Sequence, residues 1–313
     1  MDKDFLKDRF MGCLLGMAIG DALGAAVEGL TPIQVMSRFH TPIDGFFASK
    51  TKGLKPGDYT EHSKTAFQVT IAIQKNSGWN SEAIKTLLPT LGITSLFSRV
   101  VPIALLAAGQ NLETKQMVEY TEQLVENCEL QKSDFLALLI FEDLIKEIIR
   151  NPKQCEKPYD LYDSDESLLG RIIKKCWNTE AKIEDEENPD RLGDHLDIVR
   201  RKLMQNSPLH AFYGINGARN DTHSVLALAI FAYMRVPDDF ITICKTVSLG
   251  GNSSLNGAVV GALIGATMGA SLMPLEMKDN VKNGVRIQSL ASDLADTCPL
   301  EEIKPNADVA KAS

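Results

Sequence analysis

No CxxC pair occurs among the six cysteines of this 313-residue chain, at 13, 128, 155, 176, 244 and 298. The dense, even spacing of a disulfide scaffold is missing too, which points to a reducing compartment. Nor do Lys and Arg cluster: with a formal net charge of -8 and a pI near 5.3, the chain offers no basic footprint for nucleic acid or an anionic membrane surface. Small molecules or proteins are the expected partners, with no nucleic acid and no membrane. The opening Met-Asp-Lys-Asp-Phe-Leu-Lys-Asp-Arg-Phe mixes charges ahead of the first apolar run and lacks the basic-then-apolar order of a signal peptide. The longest apolar stretch, Val259 to Met273, is rich in Gly and too short for a convincing bilayer span. A cytoplasmic location is the expectation, with secretion by a route that uses no cleaved signal left open. Sustained two-residue alternation is scarce, and neither a tandem repeat nor a domain linker is found.

What the chain does have is apolar content, 44% of residues, sufficient for a substantial core. Its apolar residues recur at three and four, as in Phe135, Leu138, Leu139, Phe141, Leu144, Ile145 and Ile148. The pattern predicts helices over 5–19, 63–75, 80–90, 95–108, 112–127, 135–149, 165–176, 189–205, 222–234, 236–248, 254–270 and 286–297, hence an all-α fold. Ser81 and Asp134 stand where helix starts want capping side chains. The stretch 151–190 carries Pro152, Pro158, Pro189 and the acidic run Glu184 to Glu187, and reads as a polar surface segment. One domain is expected over 1–300, followed by a flexible tail over 301–313.

Small residues concentrate in two places, Gly12 to Ala25 and Gly250 to Ala270. Each helical Gly costs about 1 kcal/mol relative to Ala, so such a concentration needs a packing or ligand reason. Gly12, Leu15, Gly16, Ala18, Gly20, Asp21, Ala22, Leu23, Gly24 and Glu28 match a pattern of the form G-x-x-L-G-x-A-x-G-D-A-L-G-x-x-x-E, and the segment resembles the opening motif of the ADP-ribosylglycohydrolase family. Three further segments resemble that family's motifs in the same order. Pro56 to Ser63 stands where the family has a glycine, an aromatic and T-D-D-T. Thr94 to Ile103 is similar to N-G-x-L-M-R-V-x-P-I, keeping Leu96, Arg99, Val100, Pro102 and Ile103. Val247 to Ala258 lies where the family has N-L-G-G-D-x-D-T-N-x-A. Asp221 to Ala229 also resembles the helix ahead of that last motif. The resemblance implies a single compact orthogonal bundle of about a dozen helices.

It also implies a site. In the family, two Mg²⁺ ions lie between the T-D-D-T loop, the D-x-D-T loop and the glutamate of the first motif, positioning a ribose and an attacking water. Two divalent ions ~3.5–4 Å apart repel strongly unless carboxylates neutralise them, and hard ions want oxygen ligands. Carried over residue by residue, Thr60 is retained, but the two Asp that follow it are Glu61 and His62; the far loop's two Asp are Asn252 and Ser254, and its Thr is Leu255. Counted with Glu28, five family carboxylates become two. A metal pair is therefore not expected and no cofactor is required, although a single Mg²⁺ or Mn²⁺ is not excluded.

Glu28, Glu61 and His62 are the candidate catalytic residues: two carboxylates for acid and base work on a glycosidic bond, and an imidazole suited to a general base or a transition metal. The plainer alternatives are a Glu28 that caps the cleft, a solvated Glu61 and a His62 at a position that has drifted. Asp21, Thr60, Asn252, Ser253 and Ser254 are the candidate ligand-binding residues, with Asp21 favoured as a structural residue. Arg99 reads as an interhelical salt bridge or cap before it reads as a phosphate ligand, and Asn127-Cys128 falls near the family's Thr-His pair. Three functions follow. The first is a pseudoenzyme that binds ADP-ribose, a related nucleotide or an ADP-ribosylated protein; the second is a hydrolase with an altered metal or with Glu28, Glu61 and His62; the third is a non-catalytic interaction or scaffold protein.

Overall fold

Glycine at every fourth position lets two helices touch backbone to backbone. In the computed structural model, which describes residues 2–92, 96–152, 158–182, 191–216 and 221–299, helix α1 (Lys3–Gly24) lies antiparallel against helix α13 (Ser253–Met268). Gly12 faces Gly265, Gly16 faces Gly261, Gly20 faces Gly257 and Gly24 faces Ser253. A Cβ on Gly16 would stand 2.1 Å from the Gly261 carbonyl oxygen, and one on Gly20 would stand 1.9 Å from that of Gly257. Both are far inside contact distance, so the helices would have to part. The glycine run of the first motif thus has a packing reason that needs no ligand.

Around this seam stand α2 (Pro32–Arg38), α3 (Glu61–Lys75), α4 (Ser81–Leu87), α5 (Leu96–Gln110), α6 (Thr114–Val125), α7 (Lys132–Arg150), α8 (Leu168–Glu180), α9 (Leu192–Met204), α10 (Leu209–Asn216), α11 (Thr222–Arg235), α12 (Ile241–Val247), α14 (Leu275–Asn280) and α15 (Gly284–Asp296). No strand forms among the described residues, and the extended pairing there is an isolated bridge between Ser49 and Leu54. Apolar on every side, α13 packs against α1, α3, α5, α7, α11 and α12, as a helix at the centre of a bundle does. No helix of the described residues is long and apolar enough to cross a membrane.

The helices beyond those expected, α2, α10 and α14, have 7, 8 and 6 residues, too few turns for a 3.6-residue period to register. Helix α2 begins with chemistry the sequence does carry: Thr31 caps it, Gln34 closes the reciprocal capping box, and Pro32 takes the first turn. Within the polar stretch 151–190, α8 turns Leu168, Leu169, Ile172, Ile173 and Cys176 into the core, while the acidic run Glu184 to Glu187 lies outside the described residues, as does the tail over 301–313. Arg99, fully buried, donates to the carbonyls of Leu124 (3.1 Å) and Gly92 (3.0 Å) and to Asn127 Oδ1 (2.9 Å). It ties α5 to the end of α6 and to the turn after α4, so the tie is its use here and not a phosphate.

Candidate functional site

The seam ends where α1 runs out and α13 begins, and the first-motif carboxylates meet two helix starts there. A helix start leaves backbone N–H groups without partners. Asp21, fully buried on α1, answers those of α3: its Oδ2 accepts from Thr60 N (3.0 Å), Ser63 N (3.1 Å) and Ser63 Oγ (2.7 Å). Thr60 is the N-cap itself, its hydroxyl accepting from His62 N at 3.3 Å. Glu28 does the same service for α13, its Oε2 accepting from Ser254 N at 2.8 Å. Its other oxygen stands 3.5 Å from Lys52 Nζ.

The remaining candidates divide. Ser253 Oγ donates to the Gly24 carbonyl at 2.8 Å, closing the seam. Ser254 Oγ is buried without a hydrogen-bond partner, as are Asp21 Oδ1 and Asn256 Oδ1. Asn252, at the N-cap position of α13, makes no side-chain cap bond. Glu61 turns outward, 68% exposed, and its carboxylate pairs with Lys64 at 2.6 Å. His62 sits inward of it. Burial pushes its imidazole below the usual histidine range; Asp21, Glu28 and Glu61 pull the other way, while the Lys52 ammonium adds to the fall. Burial likewise drives the Asp21 carboxyl upward, opposed by His62 and by the donors from Ser63 and Thr60. Asp21, Glu28, His62 and Lys52 thus form one electrostatic group, with Glu61 at its rim.

Two loops hold this group in place. Gly29 N donates to the Gly251 carbonyl and Gly251 N to that of Leu30, both at 2.8 Å. Gly250 has φ of 70° and a Cβ there would lie 2.1 Å from the Leu30 carbonyl oxygen, so this turn wants glycine on both counts.

A pair of Mg²⁺ ions does not suit these residues. Glu28 already spends one oxygen on a helix N–H and faces an ammonium with the other, Glu61 is turned to solvent, and the far loop offers neutral oxygens. Among the described residues no group of three or more His, Cys, Asp or Glu is arranged to hold a metal ion. Reasoning from the sequence missed Lys52, which lies in no motif, and Asn256, which does fall at the Asn of the family's D-x-D-T-N segment and was legible there.

The chain is thus an all-α bundle with two loops meeting over the ends of paired glycine-rich helices. The family model for ADP-ribosylglycohydrolase matches residues 2–92 and 92–303, and the chain belongs to that family. Among solved structures, the fold is similar to one described as an ADP-ribosylglycohydrolase-related protein complex, with a TM-score of 0.64, 17% identity, and coverage of 95% of this chain and 100% of that one. An uncharacterised protein of Archaeoglobus fulgidus is 34% identical over 59 residues, a stretch that is 19% of each chain.

Proposed function

We propose that the residues gathered at the α3 and α13 starts take ADP-ribose or a related nucleotide, free or attached to a protein, without a metal pair, and that the chain acts as a binding pseudoenzyme. The observation that carries this is the Lys52–Glu28 pairing, which supplies a fixed positive charge beside the first-motif glutamate in place of a divalent ion. The buried, unpartnered oxygens of Asp21, Ser254 and Asn256 support it, since buried polar atoms ordinarily have partners and a polyhydroxylated ribose is rich in them. Calorimetric titration with ADP-ribose, in EDTA and then in Mg²⁺ or Mn²⁺, tests it. Equal affinity in all three is the expected result; binding that appears only with metal would overturn it. No binding at millimolar ligand would favour the scaffold reading instead.

A second reading, a hydrolase, is favoured by one observation: a His62 held toward its neutral form by burial is suited to act as a base. It predicts turnover of Arg- or Ser-linked ADP-ribose that His62→Asn and Glu61→Gln each reduce while the fold is kept. The outward Glu61, paired with Lys64, gives the acid half of that mechanism less support than the base half.

A further inference from the structure

A cavity between α10, α11, α12 and the loop at Thr41–Pro42, lined by none of Glu28, Lys52 or His62, has a volume of about 450 Å³, within the range of small-molecule sites. Pro42, Leu209, Val236 and Leu249 give it an apolar wall, while its charged or ionisable groups are Lys245, Arg235 and His210. No Asp or Glu is among the described residues that line it, in a chain with 41 acidic residues against 33 Lys and Arg.

Arg235 is already oriented, since Nη1 donates to the Ser207 carbonyl and the guanidinium lies over the Phe231 ring, 5.6 Å from its centroid. A guanidinium carries five donors, so that bond leaves others for a ligand. Lys245 is exposed and makes no hydrogen bond or ion pair with the described residues. Both cations stand in last turns, of α11 and α12, where the helix dipole favours positive charge. The dipole accounts for a cation at each helix end. It does not account for their meeting an imidazole over a cavity with an apolar wall and no acid.

We propose that this cavity is a second binding site, for a phosphate monoester that carries a flat or apolar body. Arg235 and Lys245 would hold the dianion, His210 would hydrogen-bond it, and the wall formed by Pro42, Leu209, Val236 and Leu249 would cover the body. Ser248 closes one end, its hydroxyl accepting from Ile43 N at 2.7 Å and donating to the Cys244 carbonyl at 2.7 Å. Asp44 and Asp239 bear on the buried Cys244 thiol and are not in the lining.

Calorimetric titration of the full chain at low salt with 1-naphthyl phosphate, inorganic phosphate and 1-naphthol tests the proposal. The ester should bind saturably and more tightly than either fragment. Lys245→Glu should weaken it about 10-fold or more and Lys245→Gln several-fold, as loss of a charge-assisted bond to phosphate implies. Lys52→Ala, beside Glu28, should leave it unchanged. Because Lys245 is exposed, Lys245→Gln should stay close to the wild-type melting temperature and Lys245→Glu should lose only what a reversed charge at a helix end costs, with the fold kept. The proposal is overturned if Lys245→Glu binds as wild type does, if 1-naphthol matches the ester, or if binding is lost in Lys52→Ala instead, which would assign the ester to the group around Glu28.

Discussion

The α1–α13 seam and the loops at its end are made by the same two helices, but the side chains in them answer to different demands. Along the seam, backbone meets backbone, and any added carbon collides with a carbonyl. In the loops, Asp21 and Thr60 serve the start of α3 and Glu28 serves the start of α13, whereas Asn256, which also matches the family motif, leaves its Oδ1 without a partner. Three positions that depart from it lack that duty in their side chains. Asn252 makes no cap bond, Ser254 Oγ has no partner, and Glu61 pairs with a surface lysine. A residue that bonds a helix start has a structural role whatever chemistry the site carries out.

The largest test of this contrast is Gly20→Ala. Its Cβ would stand 1.9 Å from the Gly257 carbonyl, and overpacking of that kind should cost on the order of 3 kcal/mol or more. Chemical denaturation that reveals a loss below about 1 kcal/mol would break the packing account.

Next is Asp21→Asn, which keeps the shape but turns an acceptor of three donors into a weaker one and should cost about 2 kcal/mol. Hydrogen exchange should localise the loss to the first turn of α3; a uniform loss would speak against a capping role.

Glu142 sharpens the comparison as a buried carboxyl that serves no helix start. Its Oε1 lies 2.7 Å from Thr121 Oγ, which is also 2.8 Å from the Met117 carbonyl, and its Oε2 has no partner. One hydroxyl proton serves one of two acceptors fully, so a protonated Glu142 that donates to Thr121 satisfies both. Burial raises its pKa well above 4.5. The folded state therefore holds a proton that the unfolded state releases. The stability contribution is full below pH 4.5 and is lost as pH rises through the folded value, by about 1.4 kcal/mol per unit over that window. Glu142→Gln should remove this slope and stabilise the protein on the alkaline side. Denaturation midpoints across pH that keep the wild-type slope would exclude Glu142 as its source.

The smallest effect belongs to Asn252→Ala, expected within about 0.5 kcal/mol of wild type because its side chain makes no cap bond. A cost near that of a lost cap, about 1 kcal/mol, would mean that this loop position carries structural weight after all.

Much of this was legible in the sequence. Four-residue glycine spacing in two separate segments is a physical signature of close helix approach, and Gly12 to Glu28 was specific enough to name a family. The short helices were less legible, because α14 has six residues and no periodicity to show. The outward turn of Glu61 depends on the neighbouring Lys64, a local choice that no motif encodes. Lys52 was illegible for a different reason: its partner is far off in sequence, and only the fold brings the ammonium to Glu28.

The paired bonds between Gly29–Leu30 and Gly251 have a mechanical consequence. They make the turn ahead of α2 and the turn ahead of α13 a single clasp, so neither swings without the other. The frame at the two helix starts thus opens as a unit, by breaking two backbone bonds together, rather than as a flap over a fixed floor.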